Sequence, residues 1–295
     1  MDEGRDCWAD WLLERRHGGD PGTLERVGSH LAEIRDRVLD RADPAPGDTV
    51  LDVGCGDGLI AFGALDRVGP AGIVVFSDIS ADLLGVCRAR ATEIGVVDRC
   101  EFVRAAADDL SPVGDASVDV VTTRSVLIYV ADKLTSFREF ARVLMPGGRL
   151  SVYEPINAYP PWREDDTYGG YDVTPVADLA ARLRALYAKY QPADSDPMCD
   201  FDERDLLRSA ERAGFGEIHV ELRADLEPRL PPRGWDGFLN SAPNPLVPTT
   251  AEAIAATLTH DEAERFGSHL RPLVENGTGT HRLAIAHLWA VKHGV

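Results

Sequence analysis

The chain lacks several things that would send its reading elsewhere. No apolar stretch approaches the roughly 18 consecutive residues of a membrane span, so a helical membrane protein is not expected. Met1–Asp10 is polar and acidic, without the basic start and apolar middle of a secretory signal. Five cysteines (Cys7, Cys55, Cys87, Cys100 and Cys199) are scattered along 295 residues with no C-x-x-C pair. That pattern argues against a disulfide framework or a zinc ribbon and for reduced thiols in a cytoplasmic protein. The Asn276-Gly277-Thr278 sequon therefore reads as a turn. Positive charge is short: 31 Lys and Arg against 49 Asp and Glu give a net charge of -18. Such a surface repels phosphate backbones and anionic lipid heads, so neither nucleic acid nor membrane is an expected partner. No internal repeat is evident, and no His/Cys/Asp/Glu set has metal-ligand spacing. Glu164-Asp165-Asp166 reads as a solvated turn, and no metal is expected.

What is present is a change of rhythm along the chain. Trp8 to Arg41 reads as helix in two pieces, broken at His17–Gly22, with Leu24, Val27, Leu31, Ile34, Val38 and Leu39 on one face of the second. From Thr49 short apolar strands alternate with helices. The strands are Thr49–Val53, Ile73–Phe76, Glu101–Val103, Val118–Thr122 and Arg149–Tyr153, and the clearest helices are Ala81–Ile94 and Phe137–Leu144. Strands bridged by helices pair in parallel, which makes the fold class α/β with a doubly wound, mostly parallel sheet. The alternation lapses over Ile156–Asp200, where one helix carries Leu179, Leu183, Leu186, Tyr187 and Tyr190 in register. It resumes at Phe201, where Asp202 can cap a helix, Phe201 can staple to Leu206, and Gly214 can supply a left-handed stop before a strand over Gly216–Leu222. A second insertion, Pro228–Gly279, contains a helix capped by Thr259 and Glu262, and His281–Val291 reads as the last strand. Insertions of this length usually have a function.

The chemistry concentrates in Val50-Leu51-Asp52-Val53-Gly54-Cys55-Gly56-Asp57-Gly58. A strand ending in closely spaced glycines lets bare backbone approach a ligand. The spacing is G-x-G-x-G rather than the G-x-G-x-x-G of dinucleotide enzymes, and Asp52 adds a carboxylate that could meet a positively charged group. Asp78 lies about twenty residues past Gly58, where an acid at the end of the second strand can bind ribose hydroxyls.

This stretch resembles motif I of the class I S-adenosylmethionine-dependent methyltransferases. Val118-Asp119-Val120-Val121 resembles that family's fourth strand, Leu127-Ile128-Tyr129-Val130 its following segment, and Arg138–Leu150 its helix–turn–strand unit leading into the fifth strand. The resemblance covers about 48–154 well and Phe201–Leu222 and the final strand more loosely. It implies a seven-stranded class I methyltransferase fold with S-adenosylmethionine as cofactor. Gly54, Gly56 and Gly58 would line the donor's methionine end, Asp78 would bind its ribose, and Ile79 would pack on adenine. Ala106-Ala107-Asp108 stands where the family often has an acid followed by alanine, so Ala107 and Asp108 are assigned to the adenine end. Arg124 and Ser125 would lie near the methionine group.

Methyl transfer from a sulfonium needs the nucleophile held in line in a dry pocket, and a base only if the nucleophile arrives protonated. The candidates for catalysis are Glu154, at the end of the fifth strand, then Tyr129 and His17. Asn157, His30, Tyr168, Trp162 and Trp235 are nearby possibilities, and Trp8, Trp11 and Tyr171 are further aromatics that could wall a pocket. The organisation expected is an N-terminal helical cap (1–47), a donor-binding core (48–157), a lid insertion (158–200), a core continuation (201–227), a second lid insertion (228–279) and a final core strand (280–295). The function expected is methylation of an O, N or C nucleophile on a small molecule of secondary metabolism, by in-line displacement in a lidded pocket, with a homodimer as the candidate assembly. A nicotinamide-dependent oxidoreductase and a non-catalytic S-adenosylmethionine-binding module are the rival readings.

Overall fold

The computed structural model describes residues 5–19, 21–158, 166–192, 195–228 and 232–294. In chain order, a short helix α1 (Cys7–Asp10) runs into a π-helical stretch, Trp11–Arg15, and is followed by α2 (Pro21–Ala42), β1 (Thr49–Val53) and α3 (Leu59–Val68). Then come β2 (Ile73–Asp78), α4 (Ala81–Glu93), β3 (Cys100–Arg104), β4 (Val118–Arg124), α5 (Lys133–Val143) and β5 (Leu144–Pro155). Beyond them lie β6 (Thr167–Tyr168), β7 (Tyr171–Asp172), α6 (Ala177–Tyr190), α7 (Glu203–Arg212) and β8 (Phe215–Pro228). The last elements are α8 (Trp235–Leu239), α9 (Thr250–Thr257), α10 (His260–Asn276) and β9 (Thr280–Lys292). Among the described residues no helix is long and apolar enough to cross a membrane.

Seven strands form one sheet in the order β3-β2-β1-β4-β5-β9-β8. All neighbours are parallel except β9, which runs antiparallel to both β5 and β8. Alternation along each parallel strand sends side chains to two cores, as a sheet covered on both faces requires. Val50, Val74, Phe76 and Val120 pack under α2, α3 and α4 through Val38, Leu39, Ile60, Ala64, Leu84 and Cys87. Leu51, Val53, Val75 and Val121 pack on the opposite face with Phe137 and Phe140 of α5 and Leu206 and Ala210 of α7.

The boundaries differ from expectation where hydrogen bonds rather than periodicity decide them. Helix α5 begins one turn before Phe137, because the Asp132 carboxylate accepts from the Thr135 amide and caps it. Strand β8 continues to Pro228, six residues past Leu222, because β9 pairs with it along its length. For α7 the expectation holds: Asp202 and Asp205 form a reciprocal capping box, and Phe201 and Leu206 are buried in one core. Gly214 is left-handed at φ 90°, and Gly277 ends α10 at φ 65°, which makes Asn276-Gly277-Thr278 the turn it was read to be. Leu24 and Val27 of the expected helical face, along with Trp162, Glu164 and Asp165, lie outside the described side chains.

The two insertions form a shared apolar core of their own. Tyr171, Val173, Val176, Leu179 and Leu183 from the first pack with Phe238, Ala253, Phe266, Leu270 and Val274 from the second. The first insertion holds more order than its sequence suggested. Gly169 and Gly170, at φ 59° and 87°, turn β6 into β7 as a two-residue hairpin, a conformation that needs positive φ at both positions.

Candidate active site

Strand order reverses between β1 and β4, and the crevice beyond the carboxyl ends of the strands at such a switch point is where open α/β sheets bind ligands. A cavity of about 280 Å³ lies there. Its sheet-side wall takes Gly54 and Gly56 from the turn after β1, Asp78 and Ile79 from the end of β2, Ala105–Asp108 after β3, and Arg124–Val126 after β4, with Tyr129–Ala131 beyond. The opposite wall is the N-terminal segment, through Trp8, Trp11, Leu12 and Arg16.

Local chemistry explains how these groups are held. Gly54 and Gly56 adopt φ 66° and 57°, which disfavours any residue with a Cβ. A Cβ on Gly54 would lie 2.2 Å from Val126 Cγ2, and one on Gly56 would lie 3.1 Å from Leu12 Cδ2. The turn is thus bare backbone threaded between two close neighbours. Asp78, buried at the cavity floor, accepts from the Gly56 and Ser80 amides at 2.9 Å each, tying the glycine turn to the end of β2. Burial pushes its pKa up, against the pull of those two amides. Ser125 sits at φ 56°, an unusual conformation for a residue with a side chain, and its amide bonds Tyr153 O at 2.9 Å.

The N-terminal segment is fastened at both ends. The Asp6 carboxylate caps α1 through the Trp8 and Ala9 amides and also accepts from Ser80 Oγ at 2.7 Å. Trp11 Nε1 donates to Ala242 O at 2.9 Å, and the Ala242 amide bonds Arg15 O at 2.9 Å, which joins this wall to the second insertion. Trp8 meets Tyr129 edge-on at 4.9 Å between ring centroids.

Of the residues expected to bind the donor, Gly54, Gly56, Asp78, Ile79, Ala107, Asp108, Arg124 and Ser125 all border the cavity. Asp52 and Gly58 do not. Asp52 is buried beneath the turn, where Oδ2 accepts from the Ala61 amide at 3.1 Å and Oδ1 from Thr122 Oγ1 at 2.8 Å. Its carboxylate braces α3 against β4. Gly58 caps α3 at φ 86° and faces Phe62 and Cys87.

The catalytic candidates divide more sharply. Tyr129 borders the cavity, its hydroxyl pKa pushed up to about 12 chiefly by burial. Glu154 is fully buried and turned away: Oε1 accepts from the Val126 and Leu127 amides at 2.8 and 3.0 Å, and Oε2 from Ile128 at 3.2 Å. It secures the loop that walls the cavity and does not border the space itself. His17 also stays out of the cavity wall, its pKa pulled down to about 4 by burial and by Arg16 and Arg233. Asn157 and His30 are exposed, and Tyr168, Tyr171 and Trp235 belong to the core of the insertions. Among the described residues no metal-binding cluster occurs. Arg16 is the functional candidate missed in the sequence. The signal lay in its helix, where Trp8, Trp11 and Arg16 recur three and five residues apart beside Leu12.

Two opposed titrations arise around this region. Burial raises Asp52 from 3.8 to about 7 and Glu154 from 4.5 to about 7, so each holds a proton in the fold that the open chain releases. Stability from these two falls as pH rises through that interval. His17 and His287 are pushed from 6.5 to about 4, mainly by burial, so their contribution rises with pH over nearly the same range. Replacing Asp52 with Asn, which can still bond Ala61 and Thr122, removes one falling contribution. The urea midpoint of that variant should climb more steeply than wild type between about pH 4.5 and 6.5. Parallel pH profiles would show that Asp52 titrates in the ordinary carboxylate range.

Comparison with known proteins agrees with this geometry. The sequence profile described as the ubiE/COQ5 methyltransferase family matches residues 27–219. Nocamycin O-methyltransferase from Saccharothrix syringae is 32% identical over 240 residues, 76% of this chain and 81% of that protein. The ubiquinone/menaquinone biosynthesis C-methyltransferase UbiE of Xylella fastidiosa is 42% identical over 131 residues, 44% of this chain and about half (51%) of that protein. In structure, phosphoethanolamine N-methyltransferase 2 of Haemonchus contortus, solved with S-adenosyl-L-methionine, aligns with a TM-score of 0.54 at 18% identity over 88% of this chain and 52% of that one. At that identity the likeness speaks for the fold.

Proposed function

Since the chain belongs to the ubiE/COQ5 methyltransferase family and is an S-adenosylmethionine-dependent methyltransferase, we propose that it methylates a small molecule in the cavity beyond β1 and β4. The observation that carries this reading is the glycine turn with Asp78 beneath it. Gly54 and Gly56 leave backbone bare at a site a side chain would fill, and the Asp78 carboxylate, bonded to the Gly56 amide, stands beside it at the end of β2, where an acid can bind ribose hydroxyls. The residues present therefore fit the donor. On this reading Asp78 binds the ribose hydroxyls, Ile79 and Ala105–Asp108 take the adenine, and Gly54, Gly56, Ser125 and Arg124 take the methionine end.

The bound donor supplies an activated methyl group on a sulfonium. The protein's part is to orient and to keep water out. Leu12 lies over Gly56, Trp8 and Trp11 wall the cavity opposite the glycine turn, and Tyr129, braced against Trp8, would help exclude water from a bound donor. We assign 1–47 to a cap, 48–157, 201–227 and 280–295 to the core, and 158–200 with 228–279 to a lid. Among the described residues the insertions supply none to the cavity wall, and their support of the cap through Ala242 favours a buttressing role. The acceptor atom is oxygen, nitrogen or carbon. The relative with the broader coverage, an O-methyltransferase named for nocamycin, favours oxygen and a place in secondary metabolism.

The test is incubation of the protein with a metabolite extract and methyl-labelled S-adenosylmethionine, followed by mass spectrometry. A labelled small molecule one methylene heavier, formed only with the donor, is the expected result. Label found in RNA or protein and in no metabolite would overturn the small-molecule reading.

A further inference from the structure

Two guanidiniums face the same cavity, Arg124 from the end of β4 and Arg16 from the N-terminal wall. Among the described residues neither is hydrogen-bonded or ion-paired to a carboxylate, although Arg16 lies 5.3 Å from the centroid of the Trp11 ring. The acids near them are otherwise engaged. Glu154 is taken up by three amides and Asp52 by Ala61 and Thr122, while Asp57, beside Arg16, is exposed. Burial and the facing Arg124 charge push the Arg16 pKa down to about 10. Two like charges turned into one partly dry space, with no carboxylate bonded to either among the described residues and only the exposed Asp57 beside Arg16, are costly unless a ligand supplies anions.

The donor supplies one carboxylate but also an ammonium and a sulfonium, so it brings net positive charge. If Arg124 holds that carboxylate, Arg16, the ammonium and the sulfonium are still uncompensated. Among the described residues the cavity also offers no base suited to the acceptor: Asp78 and Asp108 lie at the β2–β3 side, Tyr129 holds its proton to about pH 12, and Glu154 and His17 are outside. An acceptor that enters already ionised resolves both difficulties.

We propose that Arg16 recognises an oxyanion on the methyl acceptor, so that the substrate enters as a carboxylate or vinylogous carboxylate and is methylated on oxygen. One oxygen is held by the guanidinium. A lone pair on the other forms the new carbon–oxygen bond as the carbon–sulfur bond breaks and its electrons return to sulfur. The acceptor's negative charge and the donor's positive charge cancel, and no proton has to leave. This inference rests on the donor-site reading above, and the two can fail separately.

The test uses the full chain, S-adenosylhomocysteine, and a set of matched aromatic carboxylic acids and their primary amides, all followed by calorimetry. S-adenosylhomocysteine alone reports on the donor site; its failure to bind wild type would overturn the function proposed above and this inference with it. In the presence of S-adenosylhomocysteine, the acids should bind at least about tenfold more tightly than their amides, as a charge-assisted contact to one carboxylate oxygen predicts. Arg16→Met should abolish that preference and leave S-adenosylhomocysteine affinity within about twofold, while Arg16→Lys, which keeps the charge, should retain part of it. Three outcomes would overturn the proposal: no acid outbinding its amide, an unchanged preference in Arg16→Met, or a tenfold loss of S-adenosylhomocysteine affinity in that variant, which would make Arg16 a donor ligand.

Discussion

Glu154→Ala should destabilise the protein by on the order of 3–5 kcal/mol, among the largest effects of any single truncation near the site. The deletion removes the shared acceptor of the Val126, Leu127 and Ile128 amides, at 2.8, 3.0 and 3.2 Å, in a place where Glu154 itself is fully buried. Each orphaned amide costs about 1–3 kcal/mol, partly relieved where water reaches the hole. Glu154→Gln should fall between wild type and alanine, because the amide oxygen can keep the Val126 and Leu127 bonds while its nitrogen faces the Ile128 donor. Urea unfolding measures both. An alanine variant within about 1 kcal/mol of wild type would mean the three amides are satisfied some other way.

Asp78→Ala should weaken S-adenosylhomocysteine binding on the order of 100-fold, the loss expected for two hydrogen bonds from ribose hydroxyls to a charged acceptor. The same deletion frees the Gly56 and Ser80 amides, so the glycine turn loses its tie to β2. Asp78→Asn keeps one oxygen for that tie and should bind better than alanine. Calorimetry separates the cases, and an alanine variant within threefold of wild type would move the ribose away from Asp78.

How far the sequence carried these assignments depends on what each feature needed. The order of the strands rests on local signals: apolar runs, the Gly54-Cys55-Gly56 turn, and the caps at Asp202 and Thr259 act within a few residues of themselves. The family resemblance picked out most of the residues that border the cavity for the same reason. The orientation of Glu154 was not legible because a strand-end carboxylate faces either the cavity or the loop behind it, and that choice is made by Val126–Ile128, more than twenty residues earlier in the chain. The orientation of Asp52 was hidden in the same way, since Thr122, its partner, comes from the neighbouring strand. The common core of the insertions was invisible for a related reason. Leu179 and Phe266 each look like an ordinary apolar helix position, and only the folded chain brings them together. Arg16 went unnoticed because its cavity has two walls from opposite ends of the topology.

The antiparallel position of β9 has a consequence for how the molecule is made. Synthesis delivers β1 to β5 in an order that lets each find its partner soon after it emerges, but β8 has no neighbour in the sheet except β9. Ser151 must wait for His287, 136 residues later, to close the seam at β5. Until Thr280–Lys292 leaves the ribosome, the nascent chain carries an unpaired margin along β5 and a long unpaired β8, both able to capture another copy in the same state. A chain cut short before Thr280 should therefore collect in inclusion bodies rather than persist as a smaller soluble enzyme, and crowded polysomes are where aggregation of the intact protein should begin.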